Sequence, residues 1–438
     1  MPELKILGNP GGGSSDDARQ AQWVALEGEM LRLLDSGDTG VADAVNAALE
    51  EAVRLDASDL HFEPWEDCLT IRLRIDGILH EVASLPKTHH PRIVARLKVL
   101  ARIVTYQRDL PQDGRIDSAA TPCNKAMRVS TFPTVNGEKV VVRILEVRTD
   151  LFRLEALGFR DDMMAALRVL LMRPQGTLLL TGPSSSGKTT TIYAALQALI
   201  KIRETAPHIV TIEDPVECRL ERIAQTEIRP AAGFTFSAAL RAVLRQDPEI
   251  LVVGEIRDPE TARTAIQAGL TGHLVISTIH SGTAAGVFTR LLDMGIEPYL
   301  IASSVTGVLA QRLIRVNCPR CSATYEPDAG LRARFATAEG AATFRKGPGC
   351  EACNGIGYAG RTAIGELLGV DDAIVDGVLA RTRTAELHAS AVAAGMVTLE
   401  EDGIQRAKDG VTTLEELARV LPPPGDLRLK QTETTQQD

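Results

Sequence analysis

"GTLLLTGPSSSGKTTTIYAALQALI" occupies residues 176–200 and passes from a short apolar run through a glycine- and serine-rich turn into a helix-compatible run. Gly182, Gly187, Lys188 and Thr189 stand at the spacing G-x-x-x-x-G-K-[ST]. Between a strand and a helix, this spacing turns backbone N–H groups and a helix N-terminus towards phosphates, with the lysine on the β/γ oxygens and the hydroxyl on magnesium. The stretch therefore predicts a phosphate-binding loop; the alternative is an ordinary glycine-serine turn.

Strands and helices continue to alternate beyond this loop. Short apolar runs occur in "HIVTIED" (208–214), "EILVVGE" (249–255) and "GHLVISTIH" (272–280), with helical patterns from Gly187, over 236–245 and from Pro259. Continuous apolar strands that alternate with helices indicate a parallel sheet covered on both faces. We therefore predict an α/β domain over residues 159–420.

The residues before this domain follow different periods. Apolar residues recur three and four apart over 17–37 and 41–58, which predicts helices, and then alternate with polar residues from Asp59. We predict a small α+β domain over 41–146, a connector over 147–158 and a short, partly flexible segment over 1–40. The proline-rich and then polar residues 421–438 predict a disordered tail.

Composition restricts the class of protein. The chain has 438 residues, 44% of them hydrophobic, enough for two or three domains, and a net charge of −9 that argues against a broad nucleic-acid surface. No apolar run approaches the roughly 18 residues of a membrane span, and the N-terminus lacks the apolar core of a signal peptide. We expect a cytoplasmic protein with no direct membrane insertion.

Acidic residues follow two of the predicted strands. Glu213 and Asp214 end one strand, and Glu255 follows another. Ligands of open α/β sheets bind at the carboxyl ends of strands, so these carboxylates are candidates to hold magnesium through water or to orient an attacking water. His273 and His280 flank a third strand, although a lone histidine is more often a packed or solvated side chain.

Four of the seven cysteines form two C-x-x-C pairs: Cys318 with Cys321, and Cys350 with Cys353. Four thiolates at this spacing can close a tetrahedral zinc site around an excursion from the α/β domain, within residues 318–353. The alternative is four unrelated thiols. We expect the remaining three to be ordinary thiols: Cys68, Cys123 and Cys218.

The blocks "TGPSSSGKTTT", "TIEDPVE", "ILVVGEIRD" and "TGHLVISTIH", in this order, resemble the Walker A, aspartate, Walker B and histidine boxes of the secretion ATPase superfamily of type II secretion and type IV pilus assembly. Other segments also resemble the family, among them "ASDLHFEP", "LPQDGRI", "GFTFSAALRAVLRQDPEI" and "GYAGRTAIGELL". The resemblance extends from about residue 41 to 420.

The resemblance implies a homohexameric ATPase with a RecA-like motor domain and a smaller, PAS-like α+β N-terminal domain, acting on inner-membrane platform and adaptor proteins and peripheral to that membrane through them. It implies that ATP contacts these loop residues: Gly182, Pro183, Ser184, Ser185, Ser186, Gly187, Lys188, Thr189 and Thr190. Thr189 is expected to bind Mg²⁺. Glu255 and Glu213 would share magnesium and water positioning, with either as the base.

Further roles follow from the same resemblance. His273 and His280 would sense or position the γ-phosphate. Arg74 in "RIDG" and Arg115 in "QDGR" match arginines that reach the nucleotide from the N-terminal domain, where they would neutralise charge on the phosphoryl group. The tetracysteine element is common in export and assembly members, whereas retraction motors usually lack it.

Three positions or regions depart from the family pattern. Ser185 stands where glycine is usual, and Asp109 stands where a basic residue is usual, with Arg108 one position earlier. The longer N-terminal domain with which many relatives hold an inner-membrane partner is expected to be largely missing.

Several functions remain open at this stage. We favour an ATPase that powers pseudopilus assembly and protein export by a type II secretion system, and the alternative within the family is type IV pilus assembly. A non-hydrolysing, ATP-binding ring scaffold and a DNA-translocating ring are alternatives from other classes.

Overall fold

The computed structural model describes residues 15–37, 39–145, 149–203, 207–337 and 343–422. The predicted flexible start before Ser15, the first two connector residues and the predicted tail beyond residue 422 lie outside these ranges. Within the described ranges, none of the helices combines the length and apolar character that crossing a bilayer requires.

The N-terminal region is an antiparallel sheet packed on helices. Its elements are α1 (Ser15–Asp35), α2 (Gly40–Arg54), β1 (Ala57–Pro64), β2 (Cys68–Ile75), β3 (Ile78–Pro86), α3 (His90–Leu100), β4 (Gln112–Ile116), β5 (Met127–Thr134) and β6 (Gly137–Ile144). The six strands are ordered β3-β2-β1-β6-β5-β4, and every neighbouring pair is antiparallel. Asp76 and Gly77 both have positive φ at the β2–β3 turn, as a tight hairpin requires.

One face of this sheet forms a hydrophobic core with the helices. Leu60 and Phe62 of β1 are fully buried in the same cluster as Met30 and Leu34 of α1. Leu26, Met30 and Leu34 recur every four residues, which aligns them along one side of the helix. The packed unit thus includes α1, whereas the sequence predicts a separate segment over residues 1–40.

The second region contains a seven-stranded sheet. It begins with α4 (Asp161–Leu171), β7 (Gly176–Thr181), α5 (Lys188–Ile202), β8 (Ile209–Glu213), β9 (Ala224–Glu227), α6 (Phe236–Val243), β10 (Ile250–Val253), α7 (Pro259–Leu270), β11 (Leu274–Thr278), α8 (Gly286–Asp293), α9 (Pro298–Ser304) and β12 (Val305–Asn317). It continues with β13 (Ala323–Thr324), α10 (Ala329–Arg334), β14 (Arg345–Lys346), β15 (Tyr358–Gly369), α11 (Asp372–Leu379), α12 (Thr384–Ala393), α13 (Leu399–Lys408) and α14 (Leu414–Val420).

The strand order is β15-β12-β7-β11-β10-β8-β9, parallel except for the edge strand β15. Along β7, Leu178 and Leu180 pack into one hydrophobic cluster and Leu179 into the other, so both faces are covered. The predicted α/β architecture is confirmed. The carboxyl ends of β7, β8 and β10 meet at one edge, where the candidate site lies.

Candidate functional site

The glycine-rich loop joins the buried strand β7 to the N-terminus of α5. Gly187, which precedes the helix, has φ 87°, and Gly182 has φ 148°. A Cβ at Gly182 would lie 2.5 Å from the Gln311 carbonyl oxygen, so only glycine fits there without displacing backbone. The fully buried Gln311 also donates its amide to the Ser186 carbonyl at 2.7 Å. Strand β12 therefore braces the loop against the sheet.

Ser185 adopts a left-handed backbone conformation with φ 61°. For a residue with a Cβ this conformation costs roughly 1–2 kcal/mol, a cost that glycine does not bear. The departure noted in the sequence thus falls on a position whose backbone favours glycine. Pro183, Ser184 and Ser185 are exposed at the loop tip.

Lys188 begins α5, and its side chain folds back into the loop. Its Nζ donates to the carbonyl oxygens of Gly182 and Pro183, both at 2.8 Å. Burial lowers the pKa of Lys188; the charge of Glu255 opposes that shift and that of Arg312 adds to it. Two partly buried cations near one carboxylate favour an anion at this place. Thr189 and Thr190 follow in the first turn of the helix.

Glu255 lies at the same edge, two residues beyond β10. One carboxylate oxygen is 2.7 Å from Arg257 Nη2 and the other is 3.0 Å from His280 Nε2. The hydrogen bond from Arg257 to Glu255 raises the pKa of that guanidinium. The carboxylate is therefore held between two basic groups while 18% of its side chain stays exposed.

Glu213, the last residue of β8, is held in a different way. Tyr193 donates to its Oε2 at 2.5 Å, and Thr211 and Gln225 donate to its Oε1 at 2.5 and 3.1 Å. All three donors are neutral side chains, and the residue is only 5% exposed. Asp214 follows it on the exposed side of the strand end.

His273 lies at the other end of the strands, just before β11 begins. Its carbonyl oxygen accepts from the N–H of Gly176, where β7 begins, and its Nδ1 is 3.1 Å from the Ala268 carbonyl oxygen. Between it and His280 lie Ile279 and the five residues of β11, and the strand alone rises by roughly 16 Å. As the sequence predicts, the two histidines flank this strand: His280 lies at its carboxyl end with Glu255, and His273 lies at its amino end.

A row of arginines crosses the face of the N-terminal sheet that is turned away from its core. Directly paired residues run, strand by strand, through Arg74, Asp59, Arg143, Arg128 and Arg115. Directly paired residues share a face, so these side chains lie together. Asp59 accepts from Arg143 Nε at 2.8 Å and lies 3.6 Å from Arg74 Nε. We name these four arginines the arginine row.

Three arginines of the row lie close enough to the loop that follows Asp214 for their charges to act on Glu217. Burial raises the pKa of Glu217 in this loop, and the charges of Arg143, Arg128 and Arg115 oppose that rise. The strand register joins Arg74 and Arg115, both predicted from the sequence to reach the nucleotide, to Arg128 and Arg143, for which the sequence predicts no such role. Alternation in "MRVSTF" and "VVVRIL" marked both as polar-face residues, but only the strand register aligns them.

Asp109 and Arg108, the departure near "QDGR", lie in the exposed loop before β4. They line a surface cavity of about 470 Å³ together with His90, Val135 and other residues of the N-terminal region. The fully buried Lys98 holds the loop by donating to the Gln107 carbonyl at 2.6 Å. Neither residue belongs to the arginine row.

The four cysteines come together as a compact group. Their sulfur atoms lie within 4.8 Å of one another, with 3.8 Å for Cys318–Cys350 and for Cys321–Cys353, and 3.7 Å for Cys350–Cys353. A tetrahedral ion with metal–sulfur bonds near 2.3 Å requires separations of about 3.8 Å. The donor set therefore fits a zinc-sized metal ion, and Cys68, Cys123 and Cys218 lie outside it.

Comparison with known proteins places these features in a family context. The family described as "Type II/IV secretion system protein" matches residues 35–419. The chain is 45% identical to the type II secretion system protein HxcR of Pseudomonas aeruginosa over 393 residues, covering 90% of this chain and 80% of that protein. It is 41% identical to the type II secretion system ATPase E of Vibrio cholerae over 419 residues, covering 95% and 82%.

Two further similarities involve proteins of type IV pili. The type IV pilus assembly ATPase PilB of Thermus thermophilus is 41% identical over 411 residues, which cover 93% of this chain but 46% of that protein. Among solved structures, the pilus retraction motor PilT superposes with a TM-score of 0.58 at 24% identity, covering 86% of this chain and 96% of that one. This structural likeness concerns the fold alone.

Proposed function

The chain belongs to the type II/IV secretion system protein family, and from that membership we propose that it is an ATPase whose hydrolysis of ATP powers pseudopilus assembly and protein export by a type II secretion system. One arrangement supports this proposal most directly: Lys188, Glu255 and His280 lie at the edge of the sheet where the glycine-rich loop meets α5. ATP would occupy the loop residues 182–190.

The chemistry follows from what each group can supply. Backbone N–H groups at the N-terminus of α5 and the ammonium of Lys188 would neutralise phosphate charge, and the Thr189 hydroxyl would hold Mg²⁺, which polarises the phosphoryl oxygens when bound. Glu255 is paired with Arg257 and His280, so it is suited to holding metal-bound water. Glu213 has only neutral donors, which leaves it the better proton acceptor for the attacking water.

The arginine row is our candidate for the charge that the N-terminal domain brings to the nucleotide. The charges of Arg143, Arg128 and Arg115 act on Glu217, three residues beyond Asp214. Movement of the N-terminal domain would bring the row to the phosphates or withdraw it. His273 has no part in this scheme, because it lies at the other edge.

We also propose the assembly and setting that the family suggests: a homohexamer in the cytoplasm, peripheral to the inner membrane through platform and adaptor proteins. Type II secretion is favoured over pilus assembly because the secretion relative HxcR is 45% identical to the chain, whereas the pilus-assembly relative is 41% identical. The identity of the inner-membrane protein that co-purifies with the ring distinguishes the two roles.

Hydrolysis is tested by magnesium-dependent phosphate release. We expect Lys188→Ala to abolish it, because the lysine supplies the charge nearest the transferred phosphoryl group. Lys201→Ala, at the exposed end of the same helix, is the matched control and should keep wild-type activity. A wild-type ring that releases no phosphate, even with its partner's cytoplasmic domain added, would be a scaffold; strong stimulation by DNA would instead favour translocation.

For the tetracysteine group we propose about one zinc ion per subunit, held by Cys318, Cys321, Cys350 and Cys353. Elemental analysis of protein purified without added metal should detect it. Chelation should lower the unfolding temperature, because the ion closes the excursion around β13 and β14. Protein that is free of zinc as purified and fully stable would reject the site.

A further inference from the structure

Tyr193 connects the glycine-rich loop's helix to Glu213. It lies in the second turn of α5, is 2% exposed, and donates its hydroxyl to Glu213 Oε2 at 2.5 Å. Burial raises the pKa of Tyr193, and the hydrogen bond to Glu213 adds to that rise. The hydroxyl therefore stays protonated and acts as a donor.

Tyr193 holds a different oxygen of the Glu213 carboxylate from the one that the other two donors hold. Thr211 and Gln225 both donate to Oε1. Thr211 belongs to β8, the strand that ends at Glu213, and Gln225 belongs to the adjacent strand β9. Tyr193 reaches Oε2 from a different layer, the helix that begins at Lys188. Together the donors fix the rotation of the carboxylate about its last bond, because each oxygen is held from its own side.

The ring of Tyr193 is in turn held by the connector between the two domains. Phe152 packs edge-to-face against it, with ring centroids 5.3 Å apart and planes at 84°. Phe152 also lines a cavity of about 360 Å³ with Leu154, Ala194, Ala198 and Ile202, so open space adjoins its ring. A shift of the connector can therefore move Phe152 and reach Glu213 through a single intervening side chain.

We propose that Tyr193 is a positioning residue that sets the orientation of the Glu213 carboxylate, and that Phe152 makes this orientation depend on the interdomain connector. The inference rests on the proposed function, in which Glu213 accepts a proton from the attacking water as the water oxygen bonds to phosphorus and the bond to ADP breaks. Tyr193 touches neither water nor nucleotide in this scheme. It acts on turnover, not on nucleotide binding.

The first test compares two tyrosines. Tyr193→Phe keeps the ring against Phe152 and removes the hydroxyl, and we expect kcat to fall about tenfold with the KM for ATP unchanged, the effect of one lost hydrogen bond to a charged group. Tyr325→Phe is the matched control: Tyr325 lies in the tetracysteine excursion and also donates to a glutamate, Glu415 of α14, at 2.6 Å. It should keep the wild-type kcat.

Binding of a fluorescent ATP analogue to Tyr193→Phe confirms an intact loop, and Glu213→Gln separates the two levels of the proposal. Wild-type turnover in Glu213→Gln would overturn the assigned role of Glu213 and this inference with it. An inactive Glu213→Gln beside a Tyr193→Phe protein with wild-type kcat would overturn the inference alone. A rise in KM with unchanged kcat would do the same, since it would indicate a binding role.

A double-mutant cycle tests the connector. Phe152→Leu should lower kcat about threefold in the wild-type background and have no effect in the Tyr193→Phe background, because the ring would act through the missing hydroxyl. Equal reductions in both backgrounds would contradict coupling through Tyr193. Thermal unfolding of all four proteins identifies any loss that arises from misfolding.

Discussion

The six-stranded N-terminal sheet and the seven-stranded sheet carry polar side chains in different places. Strands β7, β8, β10 and β11 are buried along their whole length, so the candidate site of the seven-stranded sheet lies at the carboxyl ends of its strands and in the residues that follow them. In the N-terminal sheet one face is apolar and the other carries the arginine row. A parallel sheet covered on both sides leaves its edge for ligands, whereas an antiparallel sheet can leave a face open.

The difference also governs how each site is distributed along the chain. The candidate site of the seven-stranded sheet is built from short continuous segments. Each segment consists of the carboxyl end of a strand and the residues that follow it. The arginine row draws residues from 74 to 143, one from each of four strands. We therefore expect the residues at the strand ends of the seven-stranded sheet to be essential for hydrolysis. We expect the arginine row on the N-terminal sheet to change the rate of hydrolysis without being essential for it.

The largest effect should follow from a change at the edge. Glu255→Gln keeps the shape of the side chain and removes its charge, and we expect kcat to fall at least about 100-fold while nucleotide still binds. Steady-state phosphate release and equilibrium nucleotide binding measure the two quantities. Glu249→Gln, before the other end of β10, is the control and should be unaffected. If turnover in Glu255→Gln stayed within threefold of wild type, the strand ends would not hold the essential chemistry.

An intermediate effect should follow from a change on the face. Arg128→Ala removes one guanidinium from the middle of the row, and we expect kcat/KM for ATP to fall about tenfold, as for the loss of one charge-assisted contact. Arg102→Ala, whose guanidinium forms an exposed pair with Asp117, should have no effect. If Arg128→Ala were as damaging as Glu255→Gln, the face would share the essential chemistry.

The smallest effect should follow from Ser185→Gly. Glycine removes the strain of the left-handed conformation but adds freedom to the unfolded chain, so the free energy of unfolding should rise by no more than about 1 kcal/mol. Urea unfolding measures it, and turnover should not change. Ser185→Val should be less stable than wild type, because a β-branched residue fits positive φ poorly. A valine variant as stable as wild type would mean that the loop relaxes at this position.

Much of the architecture could be predicted from the sequence, because it depends on contiguous patterns. The apolar runs predicted the parallel strands, and the two C-x-x-C pairs predicted the cysteine group that the structure brings within 4.8 Å. His273 and His280 flank β11 as the sequence predicts, and the direction of this strand places His280 at the end that carries Glu255. Arg128 and Arg143 were missed because alternation indicates a face but not which residues pair across strands.

Local spacing specifies the α/β domain, the glycine-rich loop with Lys188 and the composition of the cysteine group, so each of them can be predicted from the sequence. Three other relations are visible only in the folded chain: His280 meets Glu255, four arginines share one row, and Phe152 and Tyr193 connect the interdomain connector to Glu213. These relations depend on strand register, on strand direction and on the packing of α5 over β8. They join residues far apart in the chain, and no local pattern encodes such distances.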